Sequence, residues 1–260
     1  MARHTLILLL VMLSCGAVMA QGDIDTEKKI LYRNEWSIGS VVKTNGFEMD
    51  FRSGKFVNIF KKNLLDFGIG FIKHPQQYRA VNPYYSGYSG YCFGKKNFCF
   101  ELFYTMGRQR TLFHKADLGS VEIRFIYMGG VSLAFLKPIY YEILKYSGSA
   151  IGQTVSEKFD ADNHDPVSTL GPSEFTKGFS EIKVVPGVEG KAGISVEFGK
   201  KDTHLVAMEA GAKVSAYAKK LEIMGQKRNP QVICALFLSF RFGRVKHGAH
   251  YEYLNEYTEY

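Results

Sequence analysis

The chain has 260 residues, 46% of them hydrophobic and 14% aromatic, and a formal net charge of +8. That length suits one large domain or two small ones, and the sequence offers no run of about 20 apolar residues, which excludes a helical membrane span. It contains 26 glycines, 16 tyrosines and 20 phenylalanines, a composition that favours strands and turns.

Arg3 and His4 open the chain, Thr5 to Leu13 form an apolar run, and Val18-Met19-Ala20 place compact residues just ahead of Gln21. This is the layout of a cleaved export signal, so residues 1–20 are expected to be removed and the mature chain to start at Gln21. Cys15 raises the alternative of a lipoprotein, but Met12-Leu13-Ser14 before it makes a poor lipidation box. Export argues against a nucleic-acid partner despite the positive charge. The basic pairs Lys61-Lys62, Lys95-Lys96 and Lys200-Lys201 fall at turns and form no stripe, as expected of solvated turn ends facing phosphate headgroups.

From residue 36 onward, apolar residues recur at every second position, the period of a strand with two unlike faces. Trp36, Ile38 and Val42 alternate with Ser37 and Gly39; after Thr44-Asn45-Gly46, a tight hairpin signal, Phe47, Met49, Phe51, Val57 and Ile59 oppose Glu48, Asp50, Arg52 and Asn58. Leu65, Phe67, Ile69 and Phe71 form the third strand, and Phe98, Phe100, Leu102, Tyr104 and Met106 the fourth, against Cys99, Glu101, Thr105 and Gly107. The fifth sets Val121, Ile123, Phe125, Tyr127, Val131, Leu133 and Phe135 against Glu122, Arg124 and Ser132. In the sixth, Ile182 to Phe198 oppose Lys183, Glu189, Lys191, Ser195 and Glu197; in the seventh, Val206 to Val214 oppose Glu209 and Lys213; in the last, Leu236, Leu238, Phe240 and Phe242 oppose Ala235, Ser239 and Arg241.

Several of these strands exceed the usual five or six residues of a globular strand. Short joins are expected near 61–63 and 200–203 and a somewhat longer one at 108–118, whereas the opposite end carries long joins at 74–90, 137–180 and 221–230. The pattern predicts an all-β, eight-stranded antiparallel transmembrane up-and-down barrel over residues 21–243, with short turns inside the envelope and long loops outside. A soluble lipocalin-like barrel binding an apolar ligand would show the same alternation with its faces reversed. Lipid contact is favoured by the length of the strands, by aromatics near their ends, and by a polar face mixing opposite charges with Gly68, Gly70, Gly193 and Gly211, which suits a narrow interior filled by side chains.

On that reading Glu48, Asp50, Arg52, Glu101, Glu122, Arg124, Glu197, Glu209, Lys213 and Arg241 form a lumen charge network. Buried charges are tolerable only when paired, so these residues are expected to pair across strands rather than to line a pore. A small pore or transporter is the remaining alternative.

The export signal, the eight alternating strands and the closing FLSFRFG resemble the small outer-membrane β-barrel proteins of the OmpA/OmpX/PorT-like kind, especially those of Bacteroidota. GFIKHPQQYRAVNP and LAFLKPIYYEIL are similar to segments of members whose function is undefined. The resemblance implies a bacterial outer-membrane location, both mature termini in the periplasm, and no catalytic motif. Residues 244–260 come after the last strand, where such barrels often end on an aromatic residue; they are expected to form a periplasmic tail.

An enzyme is not expected. No Gly-x-Ser-x-Gly elbow, His-Glu-x-x-His pair or Gly-rich phosphate loop occurs, and no cofactor is implied. In FDADNHDP, Asp160, Asp162, Asn163 and Asp165 offer hard oxygen ligands of the kind calcium takes, without the glycine and distal glutamate of an EF-hand loop. The 137–180 loop, the Tyr-rich 81–91 segment and the tail HYEYLNEYTEY are candidates for contact with an envelope protein partner, such as a subunit of a barrel-assembly or type IX secretion machine. Finally, Cys92 and Cys99 flank Gly94-Lys95-Lys96-Asn97 in YCFGKKNFCF. If that tetrapeptide forms a hairpin loop, the two cysteines face each other at a spacing a disulfide can bridge, in a compartment where disulfides persist. Cys234 alternates onto the apolar face and should have no partner.

Overall fold

The computed structural model describes residues 34–58, 60–79, 90–113, 121–145, 153–160, 166–198, 204–225 and 229–246. Its strands are β1 (Asn34–Lys43), β2 (Gly46–Asn58), β3 (Lys61–Ile72), β4 (Asn97–Phe113), β5 (Glu122–Pro138), β6 (Tyr140–Lys145), β7 (Gln153–Lys158), β8 (Thr169–Pro172), β9 (Lys183–Phe198), β10 (His204–Tyr217) and β11 (Val232–Lys246). Eight of them close an antiparallel barrel in the order β1-β11-β10-β9-β5-β4-β3-β2. The seam is a full ladder, with Ile38 of β1 opposite Phe51 of β2 on one side and Phe242 of β11 on the other. Closure leaves none of the eight with an unpaired edge.

The alternation read from the sequence maps onto the two faces of this wall, except where bulges shift the register at Phe56/Asn58 and Thr111/Phe113 near the short-turn end; there Asn58, expected inside, is exposed next to Val57. Val131 and Leu236 are 57% and 64% exposed, while Glu101 and Arg241 are 2% and 1% exposed. Ile38, Met49, Phe67, Ile69, Tyr127, Val188, Ile194 and Phe240 all stand on the outside. The polarity is therefore the reverse of a lipocalin: charge points inward and the apolar face outward, which overturns the soluble ligand-binding alternative.

The ladders outrun the hydrophobic pattern at one end of the barrel. β4 continues to Phe113 and β3 starts at Lys61, because Arg108 and Arg110 outside and Gln109 inside keep the alternation of direction after the alternation of polarity has stopped. β11 likewise runs to Lys246, which pairs with Asn34, so strand pairing passes Gly243 and takes in the first residues of the expected tail. Residues 247–260, the export signal at 1–20 and nearly all of the Tyr-rich 81–91 segment lie outside the described residues.

At the other end the connections are built up. Pro138 ends β5, and after Ile139 the chain resumes as β6, which pairs with β7 and β8 in a separate three-stranded sheet. The expected 137–180 loop thus holds structure of its own. Tyr91, Ile139, Tyr141, Ile143 and Phe159 pack together beneath this sheet, and the Tyr141 hydroxyl donates to the carbonyls of Cys92 and Lys95, both at 2.9 Å. Burial pushes that hydroxyl above the ordinary tyrosine range. Residues 221–223, after β10, turn inward, where Leu221 and Ile223 are fully buried on Ile72, Cys99, Leu136, Val185 and Tyr217. They cap the barrel with an apolar layer.

This cap corrects the expected cysteine hairpin. Gly94-Lys95-Lys96-Asn97 does not close a hairpin between its flanks; its local return is one turn, in which the Lys95 N–H donates to the Cys92 carbonyl at 3.2 Å. It pairs instead with residues 222–225: Lys96 and Asn97 N–H groups donate to the Ile223 carbonyl at 2.9 and 3.2 Å, and the Gly225 N–H donates to the Gly94 carbonyl at 2.8 Å. Gly94, at φ 81°, supplies the turn. From Asn97 on, β4 is already held by β5, and from Cys99 by β3 as well, with Cys99 opposite Ile72 and Leu136, so no edge remains for residues 91–93. Cys92, Cys99 and Cys234 are all free. The expected outcome is a thiol count unchanged by reductant, with a small maleimide labelling the exposed Cys234 first and the fully buried Cys99 only after unfolding; mass spectrometry of the alkylated protein reads both.

Candidate functional site

The inward positions of the barrel carry charge in three tiers. Nearest the cap, Lys43 pairs with Glu48 and reaches Glu101 at 3.2 Å. Lys213 reaches Glu48, Glu101 and Glu189 at 2.7, 3.3 and 2.9 Å. The Tyr217 hydroxyl donates to Glu101 at 2.6 Å. These groups come from β1, β2, β4, β9 and β10, so the tier ties the wall together across its diameter.

Midway along the barrel, Arg52 forks onto Asp66 through Nε (2.7 Å) and Nη2 (3.0 Å), and its Nη1 reaches Glu209 at 2.5 Å. Arg241 donates from Nε to Glu209 at 2.9 Å and from Nη2 to Asp50. Lys191 completes the tier on Asp66 at 2.6 Å. Three cations meet three carboxylates here, and forked guanidinium–carboxylate contacts are the stronger class of charged hydrogen bond. Phe103 separates this tier from the first, with the Lys213 ammonium 4.3 Å and the Lys191 ammonium 5.9 Å from its ring centroid. Gly39 makes room for the centre of the tier: a methyl group there would lie well inside contact distance of Asp50 Oδ1 and 3.0 Å from Arg241 Cζ.

The third tier, at the short-turn end, pairs Lys62 with Glu35 at 2.6 Å. Arg124 sits between Glu122, at 2.8 Å, and Glu197, and the Thr111 hydroxyl donates to Glu122 at 3.0 Å.

All ten charged residues singled out in the sequence thus face the interior and make ion pairs: Glu48, Asp50, Arg52, Glu101, Glu122, Arg124, Glu197, Glu209, Lys213 and Arg241. Glu209 and Lys213, four apart on β10, belong to different tiers and do not pair with each other. The sequence reading placed Lys62 in a turn and left Glu35, Lys43, Asp66, Glu189, Lys191 and Tyr217 out of the network. Each of these has the inward parity of its strand, and that was the available signal.

Chemically the interior is a filled, ion-paired core in which carboxylates slightly outnumber cations. Arg241, Phe103, Glu101, Thr105 and Asp66 are among its largest fully buried side chains. Among the described residues no group of His, Cys, Asp and Glu could hold a metal ion. Of the acidic loop, Asp160 is described and exposed, whereas Asp162, Asn163 and Asp165 lie outside the described residues. His74 accepts the Gln76 N–H at Nδ1, 3.2 Å away, and so helps shape the turn after β3.

Because Arg241 serves Asp50 and Glu209 together, replacing it leaves two buried carboxylates short of a partner. Arg241→Leu is expected to destabilise the folded barrel by about 3–5 kcal/mol, the range for breaking one side of a buried pair. The exposed Lys55→Ala should stay within about 0.5 kcal/mol. Urea unfolding in detergent micelles, followed by tryptophan fluorescence from Trp36, measures both.

No family model and no curated protein matches the chain. Among solved structures it is similar in fold to Neisserial surface protein A, at 9% identity and a TM-score of 0.40, over 82% of this chain and 96% of that one. The N-terminal β-barrel domain of Pseudomonas aeruginosa OprF matches at 8% identity and a TM-score of 0.35, over 82% of this chain and 98% of that one. Ail, the attachment invasion locus protein of Yersinia pestis, matches at 8% identity and a TM-score of 0.35, over 83% and 97%.

Proposed function

We propose that the chain is a non-conducting, non-catalytic barrel of the bacterial outer membrane that acts as a structural or interaction component of the envelope. One observation carries the reading: a closed ladder whose outside is apolar over its middle and whose inside is ion-paired. In hydrocarbon every backbone polar group must be satisfied internally, and a closed barrel is the β solution. In water the same surface would be a very large exposed apolar patch on a monomer.

The arrangement at the two ends supports an orientation. Asn34 and Lys246, the described ends of the barrel, pair at the short-turn end, which on this reading faces the periplasm. The β6-β7-β8 sheet and the cap then face outward. An interaction role rests on the parts left over once the barrel is filled: a sheet fastened at the rim through Tyr141, in reach of another envelope protein. The tail 247–260 is a second proposed contact, on the periplasmic side, and membership in a barrel-assembly or secretion machine is the specific form such a role could take. The resemblance to the OmpA/OmpX/PorT-like proteins of Bacteroidota belongs to the same proposal.

Two measurements test it. The purified protein should migrate faster on a detergent gel before heating than after, and should fractionate with the outer membrane; recovery as a soluble periplasmic protein sinks the reading. In planar bilayers it should give a closed record, because the three tiers and Phe103 fill the lumen, and steady conductance would instead favour the pore alternative. Deleting 247–260 should remove a co-purifying envelope protein if the tail docks one, and an unchanged set of partners would count against the tail.

A further inference from the structure

Inside the barrel, Lys43, Lys62, Lys191 and Lys213 each meet at least one carboxylate. Two lysines at the capped rim do not. Lys95 and Lys137 are 3% and 2% exposed, and the contacts of their ammonium groups, among the described residues, are aromatic rings. Lys95 stands 4.4 Å from the Phe98 centroid and 5.2 Å from that of Phe71. Lys137 stands 5.7 Å from the same Phe98 ring, and 4.4 and 5.0 Å from those of Phe175 and Phe179.

Their place on the wall matters. Phe71 and Phe98 have the outward parity of β3 and β4, and Lys137 lies directly opposite Phe98 in the ladder, next to the inward Leu136. Both ammonium groups therefore sit on the outer side of the barrel, where the apolar band ends. Phe175 and Phe179, more than half exposed, come from the 173–182 connection and cover Lys137 from outside. The exposed Lys73 adds a third positive charge: burial pushes the Lys95 ammonium down to about 8, the nearby Cys92 and Cys99 thiols oppose the shift, and the Lys73 charge adds to it.

The energetics leave a deficit. Ring contacts return to an ammonium only part of what taking it out of water costs. Two such groups sharing one ring also repel each other. An anion would correct both, and at this height on a membrane barrel the available anion is a lipid phosphate.

We propose that Lys95 and Lys137, which share the Phe98 ring at the outer rim of β4 and β5, form a binding site for the phosphate of an anionic lipid headgroup, whose acyl chains run down the apolar face below. The inference rests on the outer-membrane reading above. Phe175 and Phe179 close over the headgroup as they close over Lys137, and the lumen takes no part.

The test uses the folded full-length protein in nanodiscs of phosphatidylcholine doped with phosphatidic acid, with bound lipid counted by native mass spectrometry. The wild type should retain phosphatidic acid in preference to phosphatidylcholine. Lys95→Gln/Lys137→Gln should lose about thirtyfold of that preference, from about 1 kcal/mol per lysine and a factor of ten per 1.4 kcal/mol. Lys95→Arg/Lys137→Arg should keep it, as should Lys55→Gln/Lys61→Gln at the opposite rim. Equal retention of the two lipids by the wild type overturns the site, and needs no variant to fold. So does a Gln pair that binds like the wild type, or displacement of the lipid by inorganic phosphate, which would make the occupant a free anion. Heat-modifiable gel migration, run on every sample, separates these results from failure of the barrel to insert, which would overturn the outer-membrane reading and this site with it.

Discussion

Everything in this molecule depends on neutralising charge inside a narrow closed wall. Eight strands enclose a space about as wide as the side chains that fill it, and the chain puts carboxylates and cations there on nearly every strand. They are stable only as a mutually satisfied set. Arg241 shows how tightly that binds the topology: it reaches from β11 to Glu209 on the neighbouring β10 and, across the intervening β1, to Asp50 on β2. Arg52 links β2 to Asp66 on β3 and to the same Glu209. The middle tier thus spans the seam at which the first and last strands meet.

The same network specifies register. Shifting any strand by one residue would turn its whole inward set to the outside. For β2 that would present Glu48, Asp50 and Arg52 to hydrocarbon and bring Phe47, Met49 and Phe51 inside. Both halves of that exchange are unfavourable, so apolar exterior and paired interior enforce one another. Buried ion pairs are a modest source of net stability; here their larger effect is to make alternative pairings much worse.

The two ends of the barrel are built differently. At the short-turn end the strands simply lengthen, with Arg108 and Arg110 outside and Lys62–Glu35 inside. At the other end the lumen is sealed by Leu221 and Ile223, the cap is laced to residues 94–97, and Tyr141 fastens the small outer sheet to the same segment. A filled interior and an elaborated rim leave the rim and the outer surface as the places where this barrel meets other molecules.

The sequence by itself determined the class of fold, the eight barrel strands, their faces and the inward charges, because a two-residue period is written locally and each residue's direction is set by its neighbours. It also placed Cys234 on the outside. It did not determine which charges pair, where β3, β4 and β11 end, or that a second sheet begins just beyond Pro138, although Ile139, Tyr141 and Ile143 already alternate there. The cysteine stretch shows why. Read locally, YCFGKKNFCF looks like a hairpin; in the folded chain Gly94 to Asn97 finds a better partner more than a hundred residues later, at 222–225, and β4 is taken up on both sides. Pairing across a barrel is a choice among distant segments competing for the same hydrogen bonds, and only the closed tertiary structure decides it.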